Sequence, residues 1–141
     1  MIIVIVFKIN REAAMEKLYK HSKQRDALLM LLKSVKNHPT ADWLYDELRK
    51  EFPRISLATV YRNLNLLVET GEIIKLDCNG NAEHYDGNPR NHYHFLCRKC
   101  SAIIDVSISS DKSLNELVAE KNTLKIEDHA LFFYGLCDKC I

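Results

Sequence analysis

The chain has 141 residues, a formal net charge of +1 at pH 7 and 47% hydrophobic residues, which is typical of one globular domain or two small ones. The near-neutral charge excludes a protein that is strongly basic over its whole surface. Any nucleic-acid binding must therefore rest on a local basic face, doubled by dimerisation. Five cysteines without a convincing export signal indicate a reducing compartment, so we expect a cytoplasmic protein whose C-x-x-C pairs bind metal.

The first residues are unusually apolar. Met1 to Phe7 has no preceding positive charge and no cleavage site, and it is far shorter than the roughly 20 residues that span a bilayer. We therefore expect no membrane partner. Residues 1–10 are interpreted as an atypical N-terminal extension, either an edge strand or tail docked on the body, or a leader that precedes a functional start at Met15.

Three amphipathic helical patterns follow in the first half of the chain. Ser22, Thr40 and Ser56 have the side chains and positions of N-cap residues. The third helix is predicted over 57–69, with Gly71 at the C′ position. These three helices precede a change from helical to strand-like periodicity.

The strand-like residues form a predicted hairpin. Two short runs, 73–76 and 83–86, flank Asn79-Gly80, a pair strongly favoured in two-residue hairpin turns. Three helices and a hairpin in this order predict a winged helix-turn-helix, whose third helix enters the DNA major groove. The alternative is a plain helical bundle with a solvated polar face.

The predicted DNA surface combines the polar side of the third helix with basic residues near the first. Arginine suits guanine edges and asparagine suits adenine edges. The candidate DNA-binding residues are Ser56, Thr59, Tyr61, Arg62, Asn63, Lys23 and Arg25.

The second half of the chain predicts a small sheet crossed by one helix. Strand patterns cover 92–97, 102–106, 124–126 and 130–136, and a helical pattern covers 111–120. So much strand edge in a small domain favours pairing across a dimer axis.

The expected fold class is α+β, with a winged helix-turn-helix followed by a small α/β dimerisation domain that holds a structural zinc site. The domains are an extension (1–10), a DNA-binding domain (11–86), a hinge (87–91) and a dimerisation and metal-binding domain (92–141).

Two cysteine pairs predict the zinc site. Cys97 and Cys100 form one C-x-x-C, and Cys137 and Cys140 form another. Four thiolates suit tetrahedral Zn²⁺ with no open position, which is a structural rather than catalytic arrangement. The alternatives are four reduced cysteines without a ligand, or two disulfides.

A second set of donors predicts a regulatory metal site. His92 and His94 are two residues apart, so on a strand both imidazoles leave one face. Asp86 is able to fold back across a turn, and Asp105 and His38 are further candidate ligands. Histidines with carboxylates suit Fe(II), Mn(II) or Zn(II). The alternative is that these histidines are ordinary solvated or helix-terminating residues.

These motifs together resemble the ferric uptake regulator (Fur) superfamily over roughly residues 19–140. Asp86 and Asp105 resemble the peroxide-stress (PerR) branch, since iron-uptake sensors usually carry Glu at the position of Asp86. The motifs that carry the resemblance are His38-Pro39-Thr40-Ala41-Asp42, Ser56 to Leu64, His92-Tyr93-His94 and the two C-x-x-C pairs.

The resemblance implies a homodimeric, metal-dependent transcriptional repressor of double-stranded operator DNA, and not an enzyme. Fe²⁺ or Mn²⁺ bound across the joint between the halves would favour the DNA-competent dimer. Hydrogen peroxide would oxidise His38 or His92 in the Fe²⁺ form and release DNA. The implied regulatory ligands are His38, Asp86, His92, His94 and Asp105, and the implied zinc ligands are Cys97, Cys100, Cys137 and Cys140.

Three alternatives remain open: an iron- or zinc-uptake regulator of the same fold, a small zinc hydrolase built on His92, His94 and Asp86, and a zinc-stabilised interaction module. His84 shares the strand face of Asp86, so it is either a solvated residue, which we expect, or a residue that supports a metal ligand. Cys78 is expected to be a small apolar filler. His129 is expected to pack or hydrogen-bond rather than bind a third metal.

Overall fold

The computed structural model describes residues 22–77 and 82–141. It comprises two compact units, the first ending at Pro89 and the second running from Arg90 to Ile141. The predictions for the N-terminal extension, Cys78 and the Asn79-Gly80 turn lie outside the described residues. Among the helices that the structure describes, none is both long enough and apolar enough to cross a membrane.

Over its described residues, the first unit contains three helices: α1 (Lys23–Ser34), α2 (Ala41–Leu48) and α3 (Leu57–Glu69). Each begins where the cap predicts, because the side chains of Ser22, Thr40 and Ser56 accept the N–H of the third residue beyond them. Helix α3 is followed by Gly71, whose φ of 77° is readily adopted only by glycine. The three caps and the end of α3 are confirmed.

The helices pack around one apolar core. Their buried residues recur at three- and four-residue spacing, so each helix presents one stripe to the others. The core residues with 0–1% exposure are Leu28, Leu32, Leu44, Val60, Leu64, Leu67 and Tyr85.

A hairpin completes the first unit. Strands β1 (Ile74–Leu76) and β2 (His84–Asp86) are antiparallel, with Ile74 opposite Asp86. The Tyr85 N–H donates to the Pro39 carbonyl at 2.9 Å, and Thr40 forms a β-bridge with His84. The segment before α2 is therefore attached to β2, which matters for the site described below.

The second unit contains β3 (His94–Cys97), β4 (Ile103–Asp105), α4 (Lys112–Asn122) and β5 (Phe132–Gly135). Strand β3 is central, antiparallel to β4 and parallel to β5. Helix α4 is capped by Asp111, whose side chain accepts the Ser113 N–H. Helices and small sheets in both halves confirm the α+β class.

Two strand predictions need correction. Residues 124–126 form no strand, and Leu124 is 54% exposed. Strand β3 begins at His94 rather than at His92. The alternation of side chains between the two faces of a strand therefore does not by itself set the direction of the His92 side chain.

Candidate metal centres

Four cysteine sulfurs converge at one end of the sheet in the second unit. Cys97 ends β3 and lies opposite Gly135 in the parallel strand β5, so the two C-x-x-C turns follow neighbouring strands at the same end. The sulfurs of Cys97, Cys100, Cys137 and Cys140 all lie within 4.8 Å of one another. The sulfurs of Cys100 and Cys137 are 3.7 Å apart, close to the edge of about 3.8 Å expected for four sulfurs at about 2.3 Å from Zn²⁺.

The local hydrogen bonds prepare this cluster for a cation. Backbone N–H groups, chiefly those of Cys100 and then Cys137, lower the pKa of Cys97 to about 6. The neighbouring Cys137 side chain is the main cause that raises the pKa of Cys140 to about 12. Several thiolates cannot share so small a space without a compensating charge, and a divalent cation supplies it. The donor set therefore fits Zn²⁺.

A histidine and a carboxylate face each other in the first unit. His38 Nε2 lies 3.5 Å from Asp86 Oδ2, and both side chains are buried. The other oxygen of Asp86 accepts the Asn88 N–H at 2.8 Å. His38 has a φ of 47°, an uncommon left-handed conformation for a residue other than glycine and one that the surrounding structure must maintain.

Three donors meet in the second unit. His92 Nε2 and His94 Nε2 lie 3.1 and 3.6 Å from Asp105 Oδ1. His94 reaches Asp105 because the two residues are register partners across β3 and β4. His92 lies before the strand, yet its ring is 4.4 Å from that of His94 between centroids. The trio thus forms despite the later start of β3.

The tautomer of His92 suits metal binding. Its Nδ1 lies 2.7 Å from the Arg90 carbonyl oxygen, which only accepts hydrogen bonds, so Nδ1 carries the proton. In the neutral ring, the Nε2 lone pair then faces Asp105, which is a favourable arrangement only with a proton or a cation between them. Both the pair in the first unit and the trio in the second offer nitrogen and oxygen donors that fit Fe²⁺ or Mn²⁺.

The candidate DNA-binding residues differ in exposure. Ser56, Tyr61 and Arg62 are exposed and Thr59 is half-buried on α3, and Lys23 is exposed on α1. The Ser56 and Thr59 hydroxyls lie 2.9 Å apart, and Arg62 donates to Thr59 at 3.2 Å. Ser56, Thr59, Tyr61 and Arg62 therefore place hydrogen-bonding groups at the N-terminal end of α3, where the first, second and fourth are linked to one another.

Two of the predicted DNA-binding residues, Asn63 and Arg25, are buried. Asn63 is 8% exposed and Arg25 is 6% exposed. Asn63 is three residues beyond Val60, and Arg25 is three residues before Leu28, so each lies on the core-facing stripe of its helix. This burial argues against the predicted DNA contacts of Asn63 and Arg25, which stay predictions.

Two histidines outside these clusters have defined partners. His84 was expected to be solvated, but its Nδ1 lies 2.6 Å from the His38 carbonyl oxygen. The signal for this contact in the sequence is the position of His84, which is two residues before Asp86 and therefore on the same face of the strand. His129 lies 2.7 Å from the Tyr93 hydroxyl and 2.6 Å from Asn115 Oδ1, which confirms its expected hydrogen-bonding role.

Comparison with known proteins agrees with this architecture. The model of the ferric uptake regulator family matches residues 16–134. The chain is 34% identical to the peroxide-responsive repressor PerR of Staphylococcus aureus (strain USA300) over 117 residues, which cover 83% of this chain and 79% of that protein.

Two solved structures show the same fold. The peroxide stress regulator of Campylobacter jejuni is 35% identical, with a TM-score of 0.75 over 89% of this chain and 98% of that one. The Helicobacter pylori ferric uptake regulator Fur is 23% identical, with a TM-score of 0.76 over 94% of each chain. The protein belongs to the ferric uptake regulator family.

Proposed function

We propose that the protein is a metal-dependent transcriptional repressor that binds double-stranded operator DNA as a homodimer in the cytoplasm and responds to hydrogen peroxide. The observation that carries this proposal is the presence of Asp rather than Glu at both carboxylate positions of the candidate metal site. Asp86 lies beside His38, and Asp105 lies beside His92 and His94. Similarity to the S. aureus peroxide-responsive repressor supports the same assignment, and membership of a family of regulators argues against a zinc hydrolase.

The regulatory site is proposed to combine the pair from the first unit with the trio from the second. Hydrogen peroxide would oxidise the ring of His38 or His92 by two electrons, so that one oxygen atom is inserted at a ring carbon and the other leaves as water. Bound Fe²⁺ would supply the redox catalysis for this reaction and would not be consumed in it. The chain's own part is to hold neutral imidazoles and two carboxylates against a divalent cation. Oxidation of a histidine removes one ligand and weakens the site.

The DNA-binding role is proposed for α3 and the β1–β2 hairpin. Arg62 offers a guanidinium that suits a guanine edge or a phosphate, and Tyr61, Thr59 and Ser56 offer hydroxyls. Lys23 adds positive charge on α1. Since the net charge of one chain is only +1, a dimer that presents two such faces would bind more strongly than a single copy.

The proposal is tested by exposing the Fe²⁺ and Mn²⁺ forms to hydrogen peroxide and measuring operator binding and peptide masses. We expect the Fe²⁺ form to lose DNA binding and to gain one oxygen atom on the peptide that contains His38 or His92. The Mn²⁺ form should bind DNA and resist oxidation.

Equal resistance of both metal forms would contradict peroxide sensing and leave an iron- or zinc-uptake regulator of the same fold. Failure of every metal form to bind duplex DNA in a salt-dependent manner would contradict the repressor role itself.

A further inference from the structure

The β2 strand holds the segment around His38 through three consecutive residues. His84 Nδ1 lies 2.6 Å from the His38 carbonyl oxygen, the Tyr85 N–H donates to the Pro39 carbonyl at 2.9 Å, and Asp86 faces the His38 ring at 3.5 Å. His84 and Asp86 are two residues apart on one strand, so both side chains leave the same face. One contacts the backbone of His38 and the other faces its imidazole.

The direction of the His84 hydrogen bond follows from its partner. A carbonyl oxygen only accepts, so His84 donates from Nδ1 and carries its proton there in the neutral ring. The donor is part-buried and separated from its acceptor by 46 residues in sequence. This is a tertiary contact between β2 and the loop before α2 rather than a local turn.

The contact restrains a residue in an unfavourable conformation. His38 has a φ of 47° and precedes a proline, a position that normally favours extended backbone. A left-handed residue of this kind persists only where surrounding contacts hold it. The His84 bond holds the carbonyl of His38 and thereby sets the direction in which its ring leaves the backbone.

We propose that His84 is a positioning residue for His38: its Nδ1–H···O bond keeps His38 in the conformation that directs Nε2 toward Asp86, and so sets the affinity of the regulatory metal site without binding the metal itself. This inference rests on the function proposed above. Residues that orient a ligand typically change metal affinity by about 10–100-fold when they are removed.

The experiment compares His84→Leu, His84→Asn and His84→Gln in the full-length, zinc-loaded protein. The amide nitrogen of Asn takes the place of Nδ1, whereas that of Gln takes the place of Nε2. We expect His84→Leu and His84→Gln to weaken Mn²⁺ binding by about 10–100-fold and His84→Asn to restore most of it. Mn²⁺ affinity is measured by titration, with zinc content and melting temperature measured in parallel.

Three outcomes would overturn the proposal. Unchanged Mn²⁺ affinity in His84→Leu would show that the bond is dispensable. Affinity retained in His84→Gln but lost in His84→Asn would show that His84 binds the metal through Nε2. Affinity lost to the same degree in all three variants would show that the Nδ1 donor is not the property that matters.

A metal-free measurement separates this inference from the proposed function. Long-range ¹H–¹⁵N spectra of the apo regulatory site should show His84 protonated at Nδ1, and the His38 ring resonances should shift in His84→Leu but not in His84→Asn. If the wild-type protein binds no Mn²⁺, the proposed function fails while these spectra still decide the role of His84. Unshifted His38 resonances in His84→Leu would contradict it.

Discussion

At the scale of single residues, neighbours in sequence have opposite roles on α3. Arg62 is exposed and donates to Thr59, whereas Asn63 is 8% exposed. The difference follows from helix geometry, because a step of one residue turns the side chain by about 100°. Residue type suggested a DNA contact for both, but only Arg62 is exposed on the outer face of the helix.

Replacing Arg62 and Asn63 separately should therefore affect different properties. If Arg62 contacts a base, we expect Arg62→Ala to weaken operator binding by about 1–3 kcal/mol. If Arg62 contacts a phosphate, we expect the slope of the logarithm of the binding constant against the logarithm of the salt concentration to fall by about one. The free energy of unfolding should not change in either case. Asn63→Ala should lower the free energy of unfolding by about 1 kcal/mol, the central value for single substitutions, because a side chain that is 8% exposed loses its packing contacts. Fluorescence anisotropy at several salt concentrations and urea denaturation measure the two effects.

Asn65, which is exposed on the same helix, offers a matched control for Asn63. Asn65→Ala should leave the free energy of unfolding within about 0.5 kcal/mol of the wild-type value. Equal destabilisation by the two asparagine replacements would contradict the assignment of Asn63 to the core side.

At the scale of elements, the end of β2 lies against the backbone of α1. A Cβ atom on Gly87 would lie 2.7 Å from both the carbonyl carbon and the oxygen of Leu32, and 2.9 Å from the Lys33 nitrogen. These atoms are helix backbone and cannot rotate away. Glycine at this position therefore allows β2 to approach α1, and it directly follows Asp86.

Gly87→Ala should destabilise the first unit. We expect a loss of about 1–3 kcal/mol, the usual cost of inserting a methyl group into a packed region, measured by urea denaturation. Gly135→Ala is the control, because its Cβ would meet only the Phe95 ring at 3.4 Å, an ordinary contact with a side chain that is able to adjust. Similar stability of Gly87→Ala and the wild type would show that α1 and β2 separate easily.

At the scale of the whole molecule, the two units are expected to depend differently on zinc. The first unit has an apolar core shared by three helices and Tyr85, whereas α4 in the second unit has no buried residue. The Cys97–Cys100 and Cys137–Cys140 turns join the ends of β3 and β5. Binding of structural Zn²⁺ contributes about 10–16 kcal/mol in small zinc domains, comparable to the entire stability of a domain.

Removing zinc should therefore unfold the second unit selectively. In Cys137→Ser, or after chelation, we expect amide hydrogen exchange to increase across residues 94–135 by orders of magnitude, while amides in α1 to α3 remain protected. Cys78→Ser is the matched control and should retain zinc, since Cys78 is outside both C-x-x-C pairs. Full protection of the sheet in the zinc-free protein would contradict a structural role for the metal.

The sequence alone determined the features that depend on local chemistry. The starts of α1, α2 and α3 each follow from one side chain that accepts an N–H three residues later, and the positive φ after α3 follows from Gly71. The two C-x-x-C pairs identify four sulfur donors because their spacing suits one tetrahedral cation. The caps and the turn are local features, and the cysteine pairs are recognised by the spacing within each pair.

Only the tertiary structure decided which face of each element is covered. Asn63 and Arg25 are buried because of what packs against α3 and α1, and His92 meets Asp105 although it lies outside β3. His84 reaches His38 across 46 residues, a contact that depends on where the loop before α2 pairs with β2. Such contacts arise from packing between distant segments, and a local sequence pattern indicates at most which face of an element they use.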